Sequence, residues 1–79
     1  MNIFFEKKAI KSIKKLDKIF RQRILTSIHL LPQGDVKKLQ GYINLFRLRV
    51  GDYRIIFSID NESLRIYDVL PRGEAYRRL

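Results

Sequence analysis

The first half of the chain divides into two stretches that differ in the spacing of their hydrophobic residues. A short apolar run, Asn2–Phe5, is typical of a β-strand. From Glu6 onward, hydrophobic residues recur every three or four positions, the spacing of one amphipathic helix or of two in succession. Asp17 is suited to cap a second helix, so we expect a break near residues 16–17 and an end at residues 32–34. The stripe consists of Ile10, Ile13, Leu16, Phe20, Ile24, Ile28 and Leu31.

In the second half of the chain the apolar residues alternate with polar ones, which indicates β-strands. Gly51 and Asp52 have the composition of a two-residue type II′ turn, and residues 60–63 form a second turn before a strand at residues 64–70. The first turn sets six apolar residues on one sheet face, in the pairs Val50–Tyr53, Leu48–Ile55 and Phe46–Phe57. We therefore predict one α+β domain over residues 1–79, of order β-α-α-β-β-β. Its two N-terminal helices pack on a curved, mainly antiparallel, four-stranded sheet.

The same hairpin register crowds arginines on the other face of the sheet. Arg49 falls directly opposite Arg54, with Arg47 on the same face, and like charges so placed cost up to about 1 kcal/mol. A solvated sheet face accounts for a single arginine, but three on one patch favour an anionic ligand. Arg72 and Tyr76 are close enough in sequence to reach this patch from the chain end. Because guanidinium groups bind phosphate bidentately, the pattern predicts a phosphorylated ligand.

Composition agrees with an anionic partner. The 79 residues include 17 lysines and arginines against eight acidic residues, a net charge of +9. Such a charge favours nucleic acid, an acidic membrane face or an acidic protein, although a merely basic soluble surface stays open. The chain has no cysteine, no apolar run near the roughly 18 residues of a membrane span, and no signal-peptide pattern after Met1. We therefore expect a cytoplasmic protein.

Other charged residues suggest weaker hypotheses. Five lysines are candidates for contacts with an RNA backbone, or else belong to a solvated surface: Lys7, Lys8, Lys11, Lys37 and Lys38. The basic stretch at residues 7–20 could alternatively lie on an anionic membrane, although its apolar stripe is needed for the core. His29 is expected at the helix surface, and Asp68 is a candidate ion-pair partner for an arginine. The carboxylates are scattered singly, so we expect no metal site, no cofactor and no acid–base pair.

Two segments together resemble the RelE/ParE superfamily of toxins from toxin–antitoxin modules. They are "KKLQGYINLFRLRVGDYRIIFSID" and "VLPRGEAYRRL". The family pattern is K-L-x-G, two basic residues on a strand, G-x-Y-R at the hairpin turn, and a C-terminal arginine before a tyrosine. The residues that match its functional positions are Arg47, Arg49, Arg54, Arg72 and Tyr76. Arginine stands at 47 and 49 where several relatives have lysine, and Pro71 stands where many have histidine.

The resemblance implies a ribosome-dependent, metal-independent endoribonuclease that cleaves messenger RNA in the ribosomal A site. In such enzymes the ribose 2′-OH attacks the adjacent phosphorus. The resemblance also implies inhibition by an acidic RelB-like antitoxin, with operator DNA bound only through the toxin–antitoxin complex. Two alternatives of the same fold stay open, a ParE-like toxin that inhibits DNA gyrase and a basic binding module without catalysis.

Overall fold

The computed structural model describes residues 2–72, in which two helices pack on one face of a five-stranded sheet. The strands lie in the order β1-β5-β4-β3-β2; β1 pairs with β5 in parallel, and the other neighbours are antiparallel. Among these residues no helix is long and apolar enough to cross a membrane. The elements are β1 (Asn2–Phe5), α1 (Lys7–Lys14), α2 (Lys18–His29), β2 (Asp35–Lys38), β3 (Phe46–Val50), β4 (Tyr53–Asp60) and β5 (Ser63–Pro71).

The main core lies between the helices and one face of the sheet. The helices contribute Ala9, Ile13, Ile24 and Ile28, all buried. Ile13, Ile24 and Ile28 belong to the predicted apolar stripe. The prediction is wrong for Ile10, which is 39% exposed, because α1 turns Ala9 toward the core in its place. The central strands contribute side chains that alternate along β3, β4 and β5, with Phe57 fully buried. The sheet face away from the helices, called the open face below, carries a second, smaller cluster of Leu39, Ile56 and Leu70.

The break between the two helices is confirmed. Asp17 Oδ1 accepts a hydrogen bond from the Phe20 amide at 2.9 Å and so caps α2. Arg21 then reaches back to the end of α1, where its Nη2 donates to the carbonyl oxygens of Lys14 at 3.3 Å and Leu16 at 3.0 Å. Carbonyl groups at a helix end lack partners within the helix, so one arginine links the end of α1 to the start of α2.

The predicted hairpin register is also confirmed. Each strand pair follows the expected alignment, including Val50 opposite Tyr53. Gly51 has φ of 59°, a conformation that glycine adopts without strain, and a Cβ atom there would lie 3.3 Å from Phe20 Cζ. The rings of Phe20 and Tyr53 meet edge to face, with centroids 4.8 Å apart. The turn therefore sits directly against α2, which fixes the hairpin relative to the helices.

The α+β prediction is confirmed, and the number of strands is corrected from four to five. The additional strand is β2, which forms the sheet edge beside β3 and aligns Asp35 with Arg49 and Val36 with Leu48. Its sequence, DVKK, contains a single apolar residue, so alternation gives almost no signal. The strand forms because β3 offers a free edge to which it can hydrogen-bond.

Candidate phosphate-binding site on the sheet

The hairpin places Arg47, Arg49 and Arg54 together on the open face. Arg49 lies directly opposite Arg54, as predicted, and Arg47 is two residues from Arg49 on the same strand. Their apolar neighbours in sequence point to the other face, against the helices. The rigid scaffold of paired strands therefore holds three guanidinium groups on one patch.

A carboxylate from the edge strand joins this patch. Asp35 Oδ2 forms an ion pair with Arg49, whose Nε lies 2.8 Å away, and Oδ1 accepts a hydrogen bond from Arg47 Nη1 at 3.3 Å. Arg47 Nη1 also donates to the main-chain oxygen of Asp35 at 3.0 Å. Partial desolvation raises the pKa of Asp35, but the hydrogen bond from Arg47 and the charges of Arg49 and Arg47 outweigh it. The pKa of this carboxyl group therefore lies below its ordinary value.

The sequence pattern does not single out Asp35, because its partners follow 12 and 14 positions later on another strand. One local signal exists: an acidic residue stands two positions before the lysine pair that precedes the arginines. That signal points to an ion pair only when β2 is known to pair with β3, because this pairing aligns Asp35 with Arg49.

The two predicted strand arginines differ in exposure. The side chain of Arg47 is only 12% exposed, whereas that of Arg49 is 54% exposed. Arg54 is intermediate and donates through Nη1 to the Tyr53 carbonyl oxygen at 3.3 Å. An anion approaching the open face therefore meets Arg49 more readily than Arg47.

The C-terminal site residues are only partly described. The Arg72 amide donates to the Asp52 carbonyl oxygen at 2.7 Å, so its main chain lies at the end of the sheet where the hairpin turns. Arg54 pairs with Leu70 at this end. Tyr76 lies outside the described residues, so the predicted assembly of four guanidinium groups and a phenol stays a prediction.

The five lysine candidates fall into two separate groups. Lys37 pairs across strands with Arg47, and Lys38 follows it on the edge strand. Lys7, Lys8 and Lys11 belong to α1, which packs mainly against β5, away from β2 and β3. Only the edge-strand pair adjoins the arginines, so only this pair extends the same basic surface.

The prediction that Asp68 pairs with an arginine is wrong. Asp68 is buried at the irregularity in the pairing of β4 with β5, and its Oδ1 accepts hydrogen bonds from Ser12 Oγ at 2.7 Å and from the Val69 amide at 2.8 Å. The charged partner is Lys8, whose Nζ lies 3.5 Å from Oδ2. Asp68 therefore anchors α1 to β5.

His29 is exposed at the end of α2, as predicted, with Nδ1 lying 3.2 Å from the Leu25 carbonyl oxygen. Within residues 2–72, no three histidine or acidic side chains are grouped so as to hold a metal ion.

A groove also crosses the open face on the side of β1. It has a volume of about 780 Å³ and is lined mainly by apolar atoms. Two of its lining residues are unusually exposed for their type, Phe4 at 49% and Ile43 at 96%. The open face therefore combines a basic patch near the hairpin turn with an apolar groove beyond it.

Two helices on a mainly antiparallel sheet, with arginines gathered on the uncovered face, define a small, basic α+β domain. Comparison with known proteins identifies the family to which this domain belongs. The family described as "ParE toxin of type II toxin-antitoxin system, parDE" matches residues 3–76. Toxin RelE3 of Methanocaldococcus jannaschii is 31% identical over an alignment of 84 positions that covers 96% of each chain. The chain belongs to the RelE/ParE superfamily of toxins from type II toxin–antitoxin systems.

Solved structures agree with this assignment. The chain is similar to the toxin in a RelB–RelE antitoxin–toxin complex from Methanococcus jannaschii, with a TM-score of 0.79 and 30% identity over 96% of this chain and 98% of that one. It is equally similar to a chain in a RelE–RelB complex from Pyrococcus horikoshii OT3, with a TM-score of 0.78 and 30% identity over 94% and 97% of the two chains. The resemblance inferred from sequence is therefore confirmed.

Proposed function

We propose that this toxin is a ribosome-dependent endoribonuclease that cleaves messenger RNA in the ribosomal A site without a metal ion. The observation that carries the proposal is the grouping of Arg47, Arg49 and Arg54 on one sheet face. The ribose 2′-oxygen attacks the adjacent phosphorus and the bond to the 5′-oxygen breaks, which leaves a 2′,3′-cyclic phosphate and a 5′-OH. This exchange passes through a pentavalent phosphorus that carries additional negative charge. Fixed guanidinium groups stabilise such charge, because they stay protonated at any working pH.

The proposed site consists of these three arginines together with Arg72 and Tyr76. Arginines of this set bind the scissile phosphate and stabilise the charge that develops on it. Tyr76 is our candidate for the proton transfer from the 2′-OH, assisted by neighbouring positive charge, because a phenol with a pKa near 10 is otherwise a weak base at neutral pH. The lysines of β2 extend the basic surface and contact the RNA backbone without regard to its sequence.

We further propose that a RelB-like antitoxin inhibits this toxin, as the complexes of its relatives suggest. The open face supports the proposal, because it offers an inhibitor both charge and apolar surface. The arginine patch attracts acidic side chains, and the groove beside β1 accepts apolar ones. An antitoxin bound here excludes RNA from the arginines.

The test is cleavage of a defined messenger RNA on translating ribosomes by the purified toxin. We expect cuts within the A-site codon. Arg54→Ala should lower the cleavage rate by about 10²–10³-fold, since it removes a donor aimed at developing negative charge. Lys18→Ala is the matched control, because it loses the same charge at an exposed position at the start of α2. Intact transcripts accompanied by gyrase-linked DNA breaks in cells would instead place the toxin in the ParE branch.

A further inference from the structure

The two strand arginines of the proposed site differ in what they already bind. Arg47 is mostly buried. Its Nη1 donates hydrogen bonds to two oxygens of Asp35, one of the carboxylate and one of the main-chain carbonyl. Arg49 is more than half exposed and contacts Asp35 through Nε alone. Among residues 2–72, no hydrogen bond or ion pair engages its terminal Nη groups. Those groups are therefore available to an external anion.

The geometry implies that Arg47 holds the Asp35 carboxylate in place and that this carboxylate in turn orients Arg49. A guanidinium group is planar, so fixing Nε on a carboxylate oxygen restricts the orientation of the whole group. The carboxylate is itself held at its other oxygen by Arg47. It also places a negative charge among three positive ones, which lowers the repulsion between Arg49 and Arg54. The Arg47 side chain is only 12% exposed, so it reaches an external phosphate less readily than Arg49 does.

We propose that Asp35 and Arg47 are a positioning pair, and that Arg49 and Arg54 are the arginines that contact the substrate phosphate. The inference rests on the proposed function and refines it. Arg47 acts through Asp35 rather than on the substrate, although its position matches a functional position of the family. Asp35 contributes to the site without belonging to any motif of that family.

The first experiment counts phosphate contacts by titrating a short single-stranded RNA across a salt series. For single strands, the slope of log K against log salt changes by about 0.7 for each neutralised phosphate. We expect Arg49→Ala and Arg54→Ala each to reduce the slope by about this amount. Arg47→Met should leave the slope unchanged. Arg47→Lys, which keeps the charge but not the planar fork, should also leave it unchanged, and denaturation curves verify that each variant is folded.

The second experiment separates positioning from plain electrostatics. Asp35→Asn removes a negative charge and should tighten RNA binding at low salt, yet it should lower kcat for ribosomal cleavage by on the order of 10- to 100-fold, because Arg49 is no longer held in place. Glu6→Gln is the matched control. Glu6 forms a comparable ion pair with Arg65 at 2.9 Å, so its loss should tighten binding without lowering kcat.

The results distinguish this inference from the proposed function. If the toxin does not cleave messenger RNA but shows the expected slopes, the nuclease proposal is contradicted. The different roles assigned to the arginines would then still hold. An equal loss of slope in Arg47→Met and Arg49→Ala overturns the inference, even in an active nuclease. So does an unchanged kcat in Asp35→Asn, or the absence of RNA binding by the unaltered protein.

Discussion

Individual residues on the open face show how a small fold tolerates crowded charge. Arg49 and Arg54 face each other across the hairpin, an arrangement that destabilises a sheet by itself. Asp35 offsets part of this repulsion by binding two of the three guanidinium groups. An anionic ligand would neutralise the positive charge that remains after this pairing.

The lowered pKa of Asp35 leads to a prediction about stability and pH. A carboxyl group whose pKa is lower in the folded state than in the unfolded state stabilises the fold above the unfolded value, which is about 3.9 for aspartate. That stabilisation is lost as the pH falls through the folded-state pKa. Asp35→Asn should therefore be less stable than the unaltered protein at neutral pH, and the difference should shrink below about pH 4.

The measurement is urea unfolding of both proteins between pH 7 and pH 2.5. Asp17→Asn is a useful control, because Asp17 caps α2 and asparagine caps a helix about as well as aspartate. A difference between Asp35→Asn and the unaltered protein that stays constant down to pH 2.5 would show that the Asp35 charge does not stabilise the fold.

At the level of helices and strands, local sequence signals account for what was predictable. The turn at Gly51 and the alternating apolar residues on both sides of it were sufficient for the register that places the arginines together. Strand β2 lacks such signals, and its pairing with β3 depends on contacts distant in sequence. The partners of Asp68 were unpredictable for the same reason, because Ser12 lies 56 positions away. Asp35 joined the candidate site only once β2 was placed.

The junction between α1 and β5 yields a prediction about folding stability. Ser12 Oγ donates to Asp68 Oδ1, and Asp68 is buried. Ser12→Ala should lower the free energy of unfolding by about 1–2 kcal/mol, because it removes a donor from a buried carboxylate. The loss stays moderate because the Val69 amide continues to donate to the same oxygen.

Urea unfolding monitored by circular dichroism measures this difference. Ser27→Ala is the matched control, since Ser27 Oγ donates to the Arg23 carbonyl oxygen of its own helix, four residues earlier. Such a bond adds little to helix stability, so this variant should unfold like the unaltered protein. Equal stability of both variants would mean that the Ser12–Asp68 contact does not anchor α1.

At the scale of the whole molecule, the net charge of +9 governs association with the proposed antitoxin. An acidic antitoxin is attracted before contact, and such steering raises the association rate constant most at low salt. The Debye length falls from about 30 Å at 0.01 M salt to about 10 Å at 0.1 M, so this attraction is screened over that range. Apolar contacts in the groove beside β1 form after the encounter and act mainly on the dissociation rate constant.

The product of the gene adjacent to the toxin gene is the antitoxin candidate, and stopped-flow mixing across a salt series tests it. The association rate constant should fall steeply between 0.01 M and 0.1 M salt, while the dissociation rate constant changes little. Ile43→Ser should instead raise the dissociation rate constant and leave the salt dependence of association unchanged, because Ile43 is an exposed apolar residue of the groove. An association rate that is flat with ionic strength would refute electrostatic steering. An adjacent gene product that fails to bind would refute the antitoxin proposal and leave the nuclease proposal to its own test.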